Sequence, residues 1–351
     1  MFLLPCGWRY RQVGYQAVRS IRVIMSDKNL DVLTIGNAIV DVFATCDDAF
    51  LETHGIGRGM MNLVDAERSA KLYNELDAPT EISGGSAANT AVGVAAFGGQ
   101  AGFAGRVRDD VLGNIFIRDI AAANVRFANP PHQDGSATAL SIILVTPDAA
   151  RSMNTYLGAC IEVEPDDLIE AEFAASKIIY LEGYLFDAPH GPAIFARAAE
   201  LAGKYDAKIS LSLSDPWCAE RHRDALGAFI KNHVDILFAN EDEAMSLCEK
   251  PAHETTTDLL QMVDELIVTR GARGAFYGTS DEQHDIAAMP QGAVIDTTGA
   301  GDLFAAGYLY GRTNGYSIEM SGKLASLAAG EVISHIGARP EADLNALAAT
   351  L

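Results

Sequence analysis

The chain is poor in cysteine, in basic residues and in long hydrophobic runs, and each shortage excludes a class of protein. Its 351 residues include only five cysteines, spaced far apart with no Cys-x-x-Cys pair, so reduced thiols fit better than a disulfide framework. Lys and Arg number 26 against 47 Asp and Glu, and the net charge of −21 argues against nucleic acids or anionic membranes as partners. No apolar run approaches a membrane span. We therefore expect a cytoplasmic protein.

Two familiar nucleotide-binding motifs are also missing. No Gly-x-x-x-x-Gly-Lys-[Ser/Thr] sequence occurs, because Gly203-Lys204 and Gly322-Lys323 lack the upstream glycine and the following hydroxyl, so a P-loop is excluded. No Gly-x-Gly-x-x-Gly follows the first predicted strand, which weakens a dehydrogenase interpretation. The acidic charge does not exclude a nucleotide, which needs only a pocket with a suitable local charge.

Residues 1–25 differ in composition from the rest of the chain. They contain four arginines and no acidic residue, whereas all 47 Asp and Glu lie further along. An organellar transit peptide would explain the arginines, but the segment is poor in serine and stops at Met25. We prefer a dispensable basic extension with an upstream start codon, which leaves residues 26–351 as the working protein.

From Asp31 onward, short apolar strands alternate with amphipathic helices. The predicted strands are Val32–Gly36, Ala101–Ala104, Lys177–Leu181, Lys208–Leu213, Asp235–Phe238, Leu266–Thr269 and Gly292–Ile295. The predicted helices include Ala87–Phe97, Val111–Ala123, Gly191–Leu201, Glu241–Cys248 and Leu303–Gly311. This alternation predicts an α/β fold with a doubly wound, mostly parallel sheet and helices on both faces. Ligands of such sheets bind beyond the carboxyl ends of the strands.

Two stretches break the alternation. Ile39–Asp47 and Ala137–Val145 have the pattern of half-exposed strands, and neither is followed at once by a helix. A small β-sheet lid assembled from about 39–62 and 128–160 would account for both. The edge of this lid also offers a surface through which two subunits could form a homodimer.

The most informative motif is Asp-Thr-Thr-Gly-Ala-Gly-Asp at 296–302. It follows Ala293–Ile295, predicted to end a buried strand, and precedes the helix predicted for Leu303–Gly311. Its two glycines leave the N–H groups of that helix N-terminus open to an anion. Asp302, at the entrance of this anion pocket, is placed to deprotonate a hydroxyl beside a phosphoryl group. The alternative is an ordinary glycine turn with Asp302 stabilised by the helix dipole.

Two further motifs precede helices or interrupt apolar runs. Gly84 and Gly85 let the backbone approach a ligand, and Asn89 offers a donor and an acceptor to hydroxyl groups. Asp41, which follows Asn37 in an apolar run, needs hydroxyl or N–H partners, and vicinal sugar hydroxyls would satisfy it. On these residues alone, each motif has an equally good structural explanation. The small residues around Asn89 could simply let a helix pack on the sheet, and Asp41 could cap a turn while half exposed to water.

Two predicted strands end in polar motifs. Asn240 to Glu243 starts a helix, where acidic residues usually compensate the dipole, but Glu243 could also hold hydrated magnesium. Thr269 opens a glycine-rich turn containing Gly271 and Gly274, which suits nucleotide phosphates or ribose.

These five motifs, in this order, resemble the ribokinase-like (PfkB) family of carbohydrate and nucleoside kinases, over essentially Asp31 to the C-terminus. The resemblance implies an ATP- and Mg²⁺-dependent kinase with Asp302 as catalytic base and an anion hole formed by Gly299, Ala300 and Gly301. It also assigns Asn240 and Glu243 to magnesium and phosphate, Glu243 through water, and Thr269, Gly271 and Gly274 to the nucleotide. A monovalent cation such as K⁺ is implied near Asp296, Thr298 and a late loop at Gly337–Arg339.

The acceptor is the least determined part of this interpretation. The start Gly36-Asn37…Asp41 resembles adenosine kinases, in which the corresponding Asp holds the ribose hydroxyls, whereas Ser86–Asn89 and Gly98-Gly99 are more similar to bacterial sugar kinases. Arg151 also falls where sugar kinases often carry a basic lid residue. We expect transfer of the γ-phosphate to the primary hydroxymethyl group of a nucleoside, adenosine first, with a free-sugar kinase of the ribokinase or fructokinase type as the alternative.

Overall fold

The structure, a computed structural model, describes residues 28–148 and 150–351, so the predicted extension at 1–25 lies outside the described residues. The strands are β1 (Leu30–Ile35), β2 (Ile39–Thr45), β3 (Met61–Leu63), β4 (Thr80–Gly84), β5 (Ala101–Ala104), β6 (Val125–Phe127), β7 (Ala139–Val145), β8 (Arg151–Tyr156), β9 (Ser176–Glu182), β10 (Lys208–Ser212), β11 (Ile236–Asn240), β12 (Glu265–Thr269), β13 (Ala275–Gly278) and β14 (Gln283–Ile286). The helices are α1 (Asp48–Thr53), α2 (Ala66–Asn74), α3 (Ser86–Ala96), α4 (Val111–Ala122), α5 (Glu170–Ala175), α6 (Gly191–Tyr205), α7 (Pro216–Arg221), α8 (Arg223–His233), α9 (Glu241–Cys248), α10 (Ala252–Leu259), α11 (Ala300–Thr313), α12 (Ile318–Val332) and α13 (Leu344–Ala348).

The larger sheet has nine strands in the order β14-β13-β12-β11-β10-β9-β1-β5-β6. All neighbours from β12 to β6 pair in parallel, and only β13 and β14 add antiparallel pairings at one end. The first strand is therefore an interior strand, with Val32 opposite both Ala101 and Ile178. The predicted doubly wound, mostly parallel sheet is confirmed, and six of the seven predicted strands correspond to β1, β5, β9, β10, β11 and β12.

Each face of this sheet has its own hydrophobic core, which explains why its strands are apolar at nearly every position. Val32 and Tyr180 lie in the core beneath α3 and α11, while Leu33 and Leu181 lie in the core on the opposite face. Successive side chains of a strand point to opposite faces, so continuous apolar runs indicated a doubly covered sheet correctly.

The second, smaller sheet has five strands in the order β3-β8-β7-β2-β4. Its strands β2, β3, β7 and β8 fall within the predicted lid segments, 39–62 and 128–160, or end one residue beyond them. The strand β4 lies outside those segments and pairs antiparallel with β2. The smaller sheet therefore takes three separated pieces of chain rather than two, and β4 leads from it directly into α3.

The strand predicted at Gly292–Ile295 is wrong. These residues form no strand, and the side chains of Val294 and Ile295 are 62% and 51% exposed. The segment is anchored instead by the N–H groups of Ile295 and Asp296, which donate to the carbonyl of Ile333 at the end of α12. Val294 and Ile295 have the β-branched side chains typical of a buried strand, but Val294 lines a pocket instead of packing in the sheet.

Within residues 28–148 and 150–351, no helix combines the length and the apolar character needed to cross a membrane.

Candidate active site

Two adjoining pockets lie at the carboxyl ends of the parallel strands. The larger, of about 460 Å³, lies between the turn after β12 and the helices α11 and α12, and the smaller, of about 230 Å³, lies beyond β10 and β11. Thr269 and Gly301 line both pockets, so they mark the boundary between them. This is the edge of an α/β sheet at which ligands are expected.

The motif at 296–302 forms the loop that starts α11. Thr298 donates from its backbone N and its Oγ1 to Oδ1 of Asp296, at 3.0 and 2.8 Å, and the N–H of Gly337 donates to Oδ2 at 2.9 Å. Gly299 caps the helix with φ of 77°, and a Cβ there would lie 2.6 Å from the Cβ of Ala338. Only glycine suits this position, and the N-terminal N–H groups of α11 stay open to the pockets.

Asp302 lies in the first turn of α11, on the wall of the smaller pocket. Ser86 Oγ donates to its Oδ1 at 2.7 Å and Asn89 Nδ2 donates to its Oδ2 at 3.0 Å. Burial raises the pKa of Asp302, and these two hydrogen bonds and the charge of Arg339 oppose that rise. A partly buried carboxylate with a raised pKa is what a general base for a hydroxyl requires.

Small residues bring Asn89 and Asp302 together. The helix α3 is rich in alanine, and its Gly93 faces α11 so closely that a Cβ would lie 2.5 Å from the Cβ of Ala306. The two alternative explanations for the α3 motif therefore hold at once: its small residues pack, and its Asn89 reaches the site.

The remaining predicted acceptor residues lie on the lid side of Asp302. Ile39 pairs opposite Gly84, and Asp41 packs so tightly on Gly84 that a Cβ there would lie 2.2 Å from its Oδ2. Burial raises the pKa of Asp41 to about 7, Arg339 opposes the rise, and Asp302 adds to it. Asn37 is buried, and its Oδ1 has no hydrogen-bond partner among the described residues.

Gly85 connects this lid strand to α3. It is the N-cap of α3 with φ of 100°, and a Cβ would lie 2.1 Å from the carbonyl oxygen of Asn37. The paired glycines predicted from the sequence thus allow two backbone segments to approach each other as well as to approach a ligand.

The predicted nucleotide residues line the larger pocket. Thr269, Gly271 and Gly274 belong to its lining, and most of the other lining groups are apolar. Those groups are Ala288, Met289, Pro290, Val294, Phe304, Ala329 and Ile333. Ala300 and Gly301, at the start of α11, close the end of this pocket that faces Asp302. An apolar cavity with an anion-binding helix end suits a nucleotide base with its phosphates.

Asn240 and Glu243 face the smaller pocket and hold each other. Asn240 donates from its N and Nδ2 to the Glu243 carboxylate at 2.9 and 2.7 Å, and the N–H of Glu243 donates to Asn240 Oδ1 at 2.8 Å. The pair caps α9, and burial raises the pKa of Glu243 to about 7. The carboxylate keeps lone pairs directed at a pocket that it shares with Asp302.

Comparison with known proteins identifies the family. The profile described as "pfkB family carbohydrate kinase" matches residues 55–344. The chain belongs to this family. An adenosine kinase from Sinorhizobium meliloti is 44% identical with a TM-score of 0.83, over 92% of this chain and 99% of that one. A probable sugar kinase from Rhizobium etli is 43% identical with a TM-score of 0.84, over 92% and 98%. The adenosine kinase of Schizophyllum commune is 29% identical, over 84% of this chain and 93% of that protein.

As a pfkB-family kinase, the protein is a phosphotransferase that acts on an alcohol group, and the predicted class of enzyme is confirmed. The pfkB-family assignment also confirms the resemblance drawn from the five motifs.

Sequence reasoning missed a buried carboxylate of this pfkB-family site. Glu182 accepts from the N–H groups of Asn37 and Ala87, both at 2.8 Å, and so ties the first loop to α3. Burial raises its pKa to about 7, against these two hydrogen bonds. Its signal was available, because Glu182 directly follows the predicted strand Lys177–Leu181 at the functional edge of the sheet.

Two arginines of the pfkB-family site also come from distant segments. Arg151, at the start of β8 in the lid, pairs with Asp296 and donates to Thr298 Oγ1 at 3.1 Å. Arg339, after α12, donates to Asn89 Oδ1 at 3.1 Å and to Ser83 Oγ at 2.9 Å. Arg151 was noted only as a lid residue, and Arg339 only as part of a loop near a cation.

Proposed function

We propose that the protein transfers the γ-phosphate of ATP to the primary hydroxymethyl group of a ribose-containing nucleoside, adenosine first. One observation carries this proposal: Asp302 lies where an apolar cavity suited to a nucleotide meets a polar site with unused acceptors. The Oδ1 of Asn37, buried and without a partner, suits a hydroxyl donor on the acceptor side. Asp41 on the same side suits the paired hydroxyls of a ribose.

In the proposed reaction, Asp302 takes the proton of the hydroxymethyl group as its oxygen attacks the γ-phosphorus in line. The new oxygen–phosphorus bond replaces the bond to the β-phosphate oxygen, which leaves as ADP. The N–H groups at the start of α11, from Gly299 to Gly301, stabilise the charge that spreads over the phosphoryl oxygens. Asn89 and Ser86 hold the carboxylate of Asp302 in place before the proton moves.

Asn240 and Glu243 are the residues proposed to hold magnesium, Glu243 through water. The donor set fits, because Mg²⁺ prefers one or two carboxylates with waters and phosphates, and Glu243 lies in the same pocket as Asp302. Magnesium bound with ATP would neutralise phosphate charge during transfer.

The relatives and the polar groups together support the choice of acceptor. Two of the three proteins compared above bear the name adenosine kinase, and we propose Asn37 and Asp41 as a ribose clamp. A free sugar is the second candidate, because the probable sugar kinase from Rhizobium etli is as similar to this chain as the Sinorhizobium meliloti protein is. We also propose a cytoplasmic location, where ATP is available and the described cysteines stay reduced.

The acceptor is tested by ADP release from Mg-ATP with adenosine, inosine, guanosine, ribose and fructose. We expect the highest kcat/KM with adenosine. Asn37→Ala and Asp41→Asn should then raise KM for the nucleoside more than KM for ATP. Preference for ribose or fructose would replace the nucleoside assignment and leave the phosphotransfer chemistry standing.

The base is tested by Asp302→Asn, which keeps the shape of the side chain and removes its basicity. We expect kcat to fall by about 10²–10⁴ with little change in the affinity for ATP, measured by single-turnover phosphoryl transfer and by nucleotide titration. Asp285→Asn, an exposed carboxylate on β14, is the matched control. Undiminished transfer by the Asp302 variant would refute the assignment.

A further inference from the structure

Arg339 enters the acceptor side of the site from the loop that follows α12. Its Nη2 donates to the carbonyl and to the Oγ of Ser83, and its Nε donates to Asn89 Oδ1 at 3.1 Å. Ser83 is itself held by Asp119, whose Oδ2 accepts from the N and Oγ of Ser83 at 2.7 and 2.5 Å. The guanidinium is therefore held through two of its nitrogens, and no hydrogen bond joins it to Asp302.

The contact with Asn89 decides which way its amide faces. A guanidinium has donors only, so the Asn89 atom beside Arg339 must be the carbonyl oxygen. The amide nitrogen then faces Asp302 and donates to its Oδ2 at 3.0 Å. If the amide were reversed, its NH₂ would face Arg339 and its oxygen would face a carboxylate, and both contacts would be repulsive. Arg339 thus orients a donor toward Asp302 through one intervening side chain.

The charges around Asp302 give Arg339 a second role. The titratable and polar groups around Asp302 come from α3, β2, β9, the turn after β9, α9 and the loop after α12. They are Ser86, Asn89, Asp41, Tyr180, Glu182, Tyr184, Glu243 and Arg339. Arg339 is the one cation in this set, and it faces the carboxyls of Asp41 and Asp302 together.

We propose that Arg339 is a positioning residue that holds Asn89 in its donating orientation and keeps Asp302 ionised, and so sets the acid limit of phosphoryl transfer. The inference rests on the proposed function, because Arg339 can affect the rate in this way only if Asp302 is the general base. Loss of the positive charge removes one of the three groups that oppose the effect of burial on Asp302, so its pKa rises and a smaller fraction is ionised at a given pH on the acid limb.

The test is the pH dependence of the single-turnover rate with saturating acceptor and Mg-ATP, in the wild type, Arg339→Met and Arg339→Lys. In Arg339→Met we expect the acid limb to move to higher pH by about one unit, so that the rate falls by up to about tenfold along the acid limb and recovers on the alkaline plateau. Arg339→Lys keeps the positive charge but loses the planar set of guanidinium donors that holds Asn89. Its acid limb should stay close to that of the wild type, while its maximal single-turnover rate falls. The acceptor must be saturating because protonation of Asp41, whose pKa is also raised, would change KM for the acceptor.

The control is Arg312→Met, which breaks a partly buried arginine–carboxylate pair with Glu265 away from the site. It should lower the unfolding temperature and leave the acid limb in place. An Arg339→Met rate that falls equally at every pH would overturn the inference, as would an identical acid limb in the Met and Lys variants. In either case an active wild type and an inactive Asp302→Asn would leave the proposed function intact; a wild type inactive on every acceptor would refute the function instead.

Discussion

Two glycines of the α11 loop serve different purposes, although both stand beside the same anion site. Gly299 has a positive φ and faces Ala338, so its lack of a side chain is needed by the fold. A Cβ on Gly301 would meet no protein atom, and the space it would fill is the boundary between the two pockets. We therefore propose that the lack of a side chain at Gly301 makes room for a ligand.

Alanine at each position should separate these purposes. Gly299→Ala should lower the free energy of unfolding by about 2 kcal/mol or more, through the left-handed backbone and the contact with Ala338. Gly301→Ala should leave stability unchanged or raise it by about 0.5–1 kcal/mol, because alanine suits a helix, yet it should weaken ATP binding and lower kcat. Urea denaturation and steady-state kinetics measure the two effects. Full activity in Gly301→Ala would contradict a phosphate at this helix end.

The candidate site residues that can be proposed from the sequence are those whose proposed role is local. Gly299, Gly301 and Asp302 belong to one short motif next to a helix start, so backbone chemistry alone predicts an anion site there. Glu182 and Arg339 lie in no such motif, and their roles depend on side chains that are distant in the sequence. Only the folded chain shows that Arg339 contacts Asn89, 250 positions away.

At the scale of elements, the lid is joined to the anion loop by an ion pair. Arg151 of β8 contacts Asp296 and Thr298, and the other Asp296 oxygen accepts from Gly337. These are the residues near which a monovalent cation was predicted. Because the guanidinium already provides a positive charge there, we propose that phosphoryl transfer does not require K⁺.

Replacement of Arg151 should show whether its guanidinium takes the place of a bound monovalent cation. Wild-type rates should be equal in K⁺ and in tetramethylammonium, an ion too large for such a site. Arg151→Gln leaves Asp296 without a charge partner, so kcat/KM should fall about tenfold or more and K⁺ should restore part of it.

The matched control is Arg58→Gln, which breaks an exposed ion pair with Asp148 in the same lid and should change little. Strong activation of the wild type by K⁺ would contradict the proposal and favour the original cation prediction.

The element that sequence reasoning mistook, Gly292–Ile295, shows why patterns fail near a site. Apolar β-branched residues usually indicate burial in a sheet, but here they lie beside a cavity that a ligand would fill. The lid gave a related difficulty, because β4 ends at Gly84, within the glycine motif that leads into α3. Elements that owe their composition to a ligand, or that end in a glycine motif, carry no distinct periodicity of their own.

At the scale of the whole molecule, the free edge of the small sheet is apolar. The edge strand β3 exposes Met61 and Leu63, with 58% and 65% of their surface accessible. Exposed apolar edge strands favour pairing with another chain, which agrees with the homodimer proposed from the sequence.

Lysine at this edge should keep the subunits apart. In sedimentation velocity, we expect a dimer for the wild type and a monomer for Met61→Lys combined with Leu63→Lys. Val111→Lys, at an apolar position that is 74% exposed but lies on α4, should leave the dimer unchanged. A wild type that sediments as a monomer at micromolar concentration would contradict the proposal, and so would a dimer that survives both lysines.

The contact between Asn89 and Asp302 spans 213 positions of the sequence, and Arg339 adds a third distant part. During synthesis on a ribosome, the strand β1 and the helix α3 emerge long before the helix that carries the proposed base. A chain released between them therefore has neither base nor anion loop, even where its first strands have begun to pair. Such prematurely terminated products would not consume ATP, because a complete site forms only after both Asp302 and Arg339 have been synthesised.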